Sequence, residues 1–152
     1  MLNQNDLRQF VIQPACKAIN KYCLDAEELL VAVFAHESLG GTFLAQEKGP
    51  ARGGYQHEPS TYADDWNHMN LTVKNEILTA CHYVSDPGFD AITANLFYAT
   101  IMARVHFSRF AEPLPASNNI VAIYNYYKKY WNSSEGAATE QEFITHYTNY
   151  TK

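Results

Sequence analysis

The chain has 152 residues, 47% of them hydrophobic and 18% charged, with a formal net charge of −5. That is enough sequence for one domain with a substantial core, and too apolar for a disordered segment. The acidic balance leaves no basic cluster to neutralise a run of phosphates, which excludes nucleic acid as an expected partner.

In chain order, Met1-Leu2-Asn3-Gln4-Asn5-Asp6 has neither the basic n-region nor the apolar h-region of a signal peptide. A first helix is expected from near Asp6, with Leu7, Phe10 and Val11 as its apolar face and Pro14 kinking or dividing it. A second helix is expected from Asp25 as N-cap, with Glu28 in a capping-box position, to a stop at Gly40-Gly41. Residues 41–70 read as a long irregular stretch punctuated by Gly49-Pro50, Gly53-Gly54 and Pro59, within which a β-hairpin fits at 42–57. Helices follow from Thr72 to Val84 and from Asp90 to about Phe110. In the latter Leu96, Phe97, Ile101, Met102 and Val105 leave little polar face, the mark of a buried central helix. Pro113 and Pro115 precede a helix from Ser117 to Trp131. Ser133-Ser134-Glu135-Gly136 reads as a loop, and Thr139-x-x-Glu142 as a capping box opening a last short helix. No segment reaches the roughly 18 uninterrupted apolar residues of a membrane span. The expected fold is a single mainly α domain, 1–152, with a long loop or small β-hairpin region beside the second helix.

Several chemistries are disfavoured by spacing. Cys16, Cys23 and Cys81 are too few and odd in number for a disulfide framework, and they contain no Cys-x-x-Cys pair, which points to synthesis in a reducing cytoplasm. His36, His57, His68, His82, His106 and His146 include no His-x-x-x-His pair, so neither a metal nor another cofactor is expected. Cys81 and His82 are adjacent on a helix and point apart, so they make no nucleophile–base dyad.

One acidic residue stands out. On the second helix Leu29, Leu30, Val33 and Phe34 form an apolar stripe, and at about 100° per residue Glu37 falls near its middle. Either the carboxyl is half-buried, which raises its pKa and suits a general acid, or it swings into solvent at the helix end. Downstream, Gly53-Gly54-Tyr55-Gln56 joins permissive backbone to an aromatic ring and an amide able to bond a sugar's hydroxyl or N-acetyl groups. The eleven Tyr, eight Phe and two Trp fit the edge of a core, or a groove whose rings stack on sugars.

Glu37-Ser38 followed by Gly53-Gly54-Tyr55-Gln56 resembles the first two motifs of the lytic transglycosylases of the lysozyme-like superfamily: a Glu-Ser at a helix end and a Gly-Leu-x-Gln-type turn. Gly49 to Trp66, Glu112-Pro113-Leu114-Pro115 and Tyr126 to Phe143 look like small phage-encoded members. The resemblance implies a lysozyme-like helical domain that cleaves peptidoglycan glycan strands. By position it makes Glu37 the catalytic acid, Ser38 its support, and Gly53, Tyr55 and Gln56 part of the cleft. The third motif, Ala-Tyr-Asn-Ala-Gly, is half kept as Ala122-Ile123-Tyr124-Asn125-Tyr126. Tyr124 and Asn125 are therefore candidates for the cleft, and Tyr98 on the central helix competes for the tyrosine that meets Glu37. Glu47, Glu58, Asp64 and Asp65 read as surface charges. With no marked second carboxylate, the resemblance favours a lyase that closes its substrate into a 1,6-anhydromuramyl end. A muramidase and a non-catalytic docking domain among virion proteins are the alternatives. Either way the chain would be made in a bacterial host without a signal peptide, and act free or in a virion.

Overall fold

The computed structural model describes residues 1–133 and 136–152. The chain is mainly helical, as expected, with almost no strand. Of the loop expected at Ser133–Gly136, Ser134 and Glu135 lie outside the described residues.

Helix α1 is assembled from Gln4–Asp6, a π-helical stretch Leu7–Ile12 and Gln13–Ala18, opened by Asn3, whose side chain accepts from Asn5 N and Asp6 N. The chain stays helical through Pro14, so the proline does not divide it. The turn before the proline widens instead, and Gln13 N–H reaches back to Arg8 O, which makes room for a residue that has no donor and crowds the turn before it. The widening also shifts the helical phase. Leu7 and Ile12 are buried, whereas Phe10, expected on the apolar face, is 64% exposed.

Helix α2, Leu24–Glu37, lies deep in the core. Ala26 and every residue from Leu29 to Ala35 are buried. Its N-cap is Cys23, whose sulfur accepts from Ala26 N, and not Asp25. Asp25 accepts from Ser117 N at 2.8 Å instead. Glu28 is no capping-box partner either. It takes two Arg8 guanidinium bonds, at 2.8 and 2.9 Å, and the Tyr147 hydroxyl. These acids fasten α2 to its neighbours.

The stretch expected to be irregular contains helix α3, Pro59–His68, with proline in the first turn where its missing N–H costs nothing. No hairpin forms among the described residues. Two isolated antiparallel bridges, Ala45 with Arg52 and Arg52 with His57, fold the loop over the end of α2. Helix α4, Leu71–Cys81, is capped by Asn70. The long helix expected from Asp90 is divided at Asn95 into α5, Ala91–Ala94, and α6, Leu96–Ser108. Asn95 is extended, and its side chain caps Tyr98 N at 3.0 Å. Ten consecutive residues of α6, Tyr98 to Phe107, are buried, so it is the central helix expected. Helix α7, Ile120–Tyr127, runs into a π turn, Lys128–Asn132. Helix α8, Glu140–Tyr150, opens with the expected Thr139–Glu142 capping box. Among the described residues no helix is long and apolar enough to cross a membrane.

The loop is held to the core by close backbone approach. A Cβ at Gly54 would lie 2.3 Å from the Phe34 ring, and one at Gly53 would lie 2.6 Å from the Ile92 carbonyl oxygen. Gly53 also has φ +77°, a region costly for side chains. Gly53→Ala should therefore lower stability by about 1–3 kcal/mol, read as an earlier midpoint in urea unfolding.

Candidate active site

Glu37 closes α2 and lies at the floor of a cleft of about 770 Å³. One wall is the loop with Phe43, Gln46 and Glu47. Another is the turn at Ala51 and Gln56, continuing to Glu58 and Thr61 at the start of α3. The third is Tyr127, Trp131, Asn132 and Ser133, with Gly136 to Ala138 beyond.

The spacing leaves two directions open for Glu37, and its carboxyl takes the inward one. Its Oε1 accepts from the Tyr127 hydroxyl at 2.7 Å, and among the described residues no cation pairs with it. Burial pushes the Glu37 carboxyl up to about 7, the negative charge of Glu58 adds to that, and the Tyr127 bond partly opposes it. Near neutrality a substantial fraction of the carboxyl thus still carries its proton, while its tip reaches the cleft. Tyr127 is itself fixed. Its ring stacks on Phe143 with centroids 4.7 Å apart, and it is fully buried. His36, beside Glu37, packs its ring against Tyr127 and Phe143, and its Nδ1 lies 3.1 Å from that of His146. Burial, then the second imidazole, lowers His36 to about 4, so it brings no positive charge to the acid.

The other anticipated residues divide between cleft and core. Gln56 lines the cleft, with its Nε2 donating to Gly53 O at 2.9 Å. Gly53 contributes that carbonyl and the tight turn. Ser38 is fully buried and serves the turn after α2, donating to Phe34 O and accepting from Gly41 N. Tyr55 does not face the cleft, because its ring is fully buried and its hydroxyl lies 3.1 Å from Thr100 Oγ1. Tyr98 does not meet Glu37, since its hydroxyl is engaged by Tyr62 at 2.7 Å. Tyr124 stands behind the cleft and donates to Ala138 O, while Asn125 is exposed outside it.

Tyr127, Trp131, Asn132 and His36 were not anticipated. Tyr127 was within reach of helical spacing, since Ile123 and Tyr127 share one buried face of α7. The motif match pointed to Tyr124, one turn earlier. Among the described residues no three His, Cys, Asp or Glu side chains gather as metal ligands. No protein-family model, curated protein or solved structure matches the chain.

A protonated carboxyl at a cleft floor, steadied by a phenol, can deliver its proton to an oxygen of a bound ligand. Tyr127→Phe removes the bond that favours the ionised form, so it should move the Glu37 titration above about 7, as followed by carboxyl NMR shifts. A fall in that titration would contradict this assignment. Stability should respond as well. The native carboxyl holds its proton to higher pH than the unfolded one, so its contribution is full below the ordinary carboxylate range and is lost as pH rises through about 7. Glu37→Gln should flatten that decline, by up to about 3 kcal/mol between pH 4 and pH 8, in paired denaturant titrations.

Proposed function

We propose that the chain is a lysozyme-like lytic transglycosylase that cleaves the MurNAc–GlcNAc β-1,4 bond of peptidoglycan. The observation that carries this reading is the Glu37 carboxyl at the cleft floor beside Tyr127, its titration raised by burial to about 7. The motif resemblance supports it, with Gln56 of the second motif on the same cleft as Glu37 of the first.

In this reading Glu37 gives its proton to the glycosidic oxygen as the bond from that oxygen to the muramyl C1 breaks. The carboxylate left behind then takes the proton of the C6 hydroxyl as O6 bonds to C1. Glu37 ends protonated, and the product carries a 1,6-anhydro ring with no water consumed. Tyr127 holds the carboxyl in place through both steps. Partners other than glycan strands, including virion proteins, are not needed for this chemistry.

One observation favours a second reading. Glu58 lines the same cleft and its charge acts on Glu37, as a second carboxylate would in a hydrolytic muramidase.

Digestion of purified peptidoglycan, with the new ends weighed by mass spectrometry, separates the two. Muropeptides ending in 1,6-anhydro-N-acetylmuramic acid, lighter by one water than hydrolysed ends, are expected. Glu37→Gln should lose on the order of 10²–10⁴-fold in rate while staying folded, and Glu58→Gln should keep substantial activity. Reducing ends alone, with activity lost in Glu58→Gln, would make the chain a muramidase. Wall clearance by Glu37→Gln at the wild-type rate would remove the glycosidase reading altogether.

A further inference from the structure

A buried polar cluster lies behind the cleft wall. Asp65 of α3 is fully buried. His106 of α6 reaches both of its carboxylate oxygens through Nδ1, at 3.0 and 2.9 Å, and Arg109 donates to it at 2.6 Å. The other ring nitrogen of His106, Nε2, lies 2.7 Å from the Tyr130 carbonyl oxygen. Carboxylate and carbonyl oxygens only accept, so the ring donates from both sides. Tyr130 sits in the π turn that ends at Asn132, and the carbonyls of a last helical turn have no partner within their own helix. His106 therefore reaches this carbonyl from a different helix.

The residue after that carbonyl is Trp131, which lines the cleft. Behind it, its indole stacks on Phe107 with centroids 5.2 Å apart, and meets the edges of His106 at 5.1 Å and His57 at 4.6 Å. Tyr130 is pinned on its other side by a stack on Phe110, at 4.0 Å. Backbone and ring of the Trp131 segment are thus held by the same histidine.

We propose that His106 is a positioning residue that acts through the Tyr130 carbonyl to hold Trp131 as a rigid platform for a sugar ring in the cleft. The proposal rests on the glycan-cleaving reading above. A flat, partly exposed indole presents apolar area to the C–H face of a pyranose, and it does so at low entropic cost only if it is already held in place. A contact of this kind contributes to substrate binding more than to the bond-breaking step, which belongs to Glu37.

Asn and Gln divide the two bonds of a histidine between them. The Asn amide reaches about as far as Nδ1 and can still serve Asp65, whereas the Gln amide reaches about as far as Nε2 and can still serve the Tyr130 carbonyl. Trp66→Phe leaves Trp131 as the chain's single tryptophan. In that background His106→Asn should shift tryptophan emission to longer wavelength and increase its quenching by acrylamide. It should also raise KM for peptidoglycan fragments roughly tenfold, the equivalent of one lost hydrogen bond of about 1.4 kcal/mol, with kcat little changed. His106→Gln should keep the emission, with KM within a few-fold of the parent. Binding of a soluble N-acetylglucosamine hexamer, measured by calorimetry, should perturb the same emission.

Equal effects of Asn and Gln, or unchanged emission in folded His106→Asn, would overturn the proposal. So would hexamer binding that leaves the emission of Trp131 untouched. If His106→Asn does not fold, His106→Gln carries the test, and a loosened Trp131 in that variant refutes the role of the carbonyl bond. If the hexamer fails to bind at all, the glycan reading suffers, while the contrast in emission still judges the positioning.

Discussion

A carboxyl group without a counter-charge, placed where a buried helix meets a cleft, sets the conditions for the rest of the site. Every residue of α2 from Leu29 to Ala35 is buried, so the helix cannot rotate to carry Glu37 into solvent without exposing that surface. An ionised carboxylate there would need a cation or several donors to offset its desolvation. Among the described residues Glu37 has one hydroxyl, that of Tyr127 at 2.7 Å, so keeping its proton to higher pH is the cheaper solution. The packing of a hydrophobic helix thereby raises the pH at which this proton leaves.

The other inward-facing acids show what a different solution looks like. Glu27 and Glu28 share the guanidinium of Arg8, with tyrosine hydroxyls from Tyr22 and Tyr147 added. Asp65 is met by Arg109 and His106. These pairs cross between elements and fix their relative positions. Glu37 lacks such a partner among the described residues, and the neutral His36 beside it does not supply one. Among the described residues the chain pairs Glu27, Glu28 and Asp65 with cations, and it places none beside Glu37 at the cleft. That asymmetry is the physical distinction between a carboxylate that fastens and a carboxyl that can give up a proton.

Much of this was legible in the sequence where a single periodicity governs. The burial of α2 and α6 follows from their apolar patterns and the start of α8 from Thr139 and Glu142, while the stripe left the direction of Glu37 open. What failed to read correctly depended on long-range partners. Asp25 has the chemistry of an N-cap, but Ser117 N, 92 positions away, takes its carboxylate, and Cys23 caps instead. Phe10 belongs to an apolar face only on an undistorted helix, and the π turn ahead of Pro14 removes that condition. Tyr124 held the motif position, yet the residue one turn later meets Glu37. The face that Tyr127 shares with Ile123 follows from helical spacing, but that this face meets Glu37 depends on how α7 packs against α2, a long-range contact.

The turn Gly53 to Gln56 shows how few residues separate fold from function here. Glycine at 53 and 54 lets the backbone lie against Ile92 and Phe34, and Tyr55 then enters the core to meet Thr100. With its neighbour committed inward and its own φ at +49°, Gln56 is turned to the cleft, where its amide is tied back to Gly53 O. The tyrosine in that string is therefore an anchor in the core while the glutamine lines the cleft, although both stand in the same short motif. The same logic applies to Trp131, whose ring faces the cleft while its neighbour's carbonyl is tied to a buried histidine. In each case one residue is spent on the core so that the next can hold a fixed direction at the surface, and the rigidity of the cleft is inherited from the packing behind it.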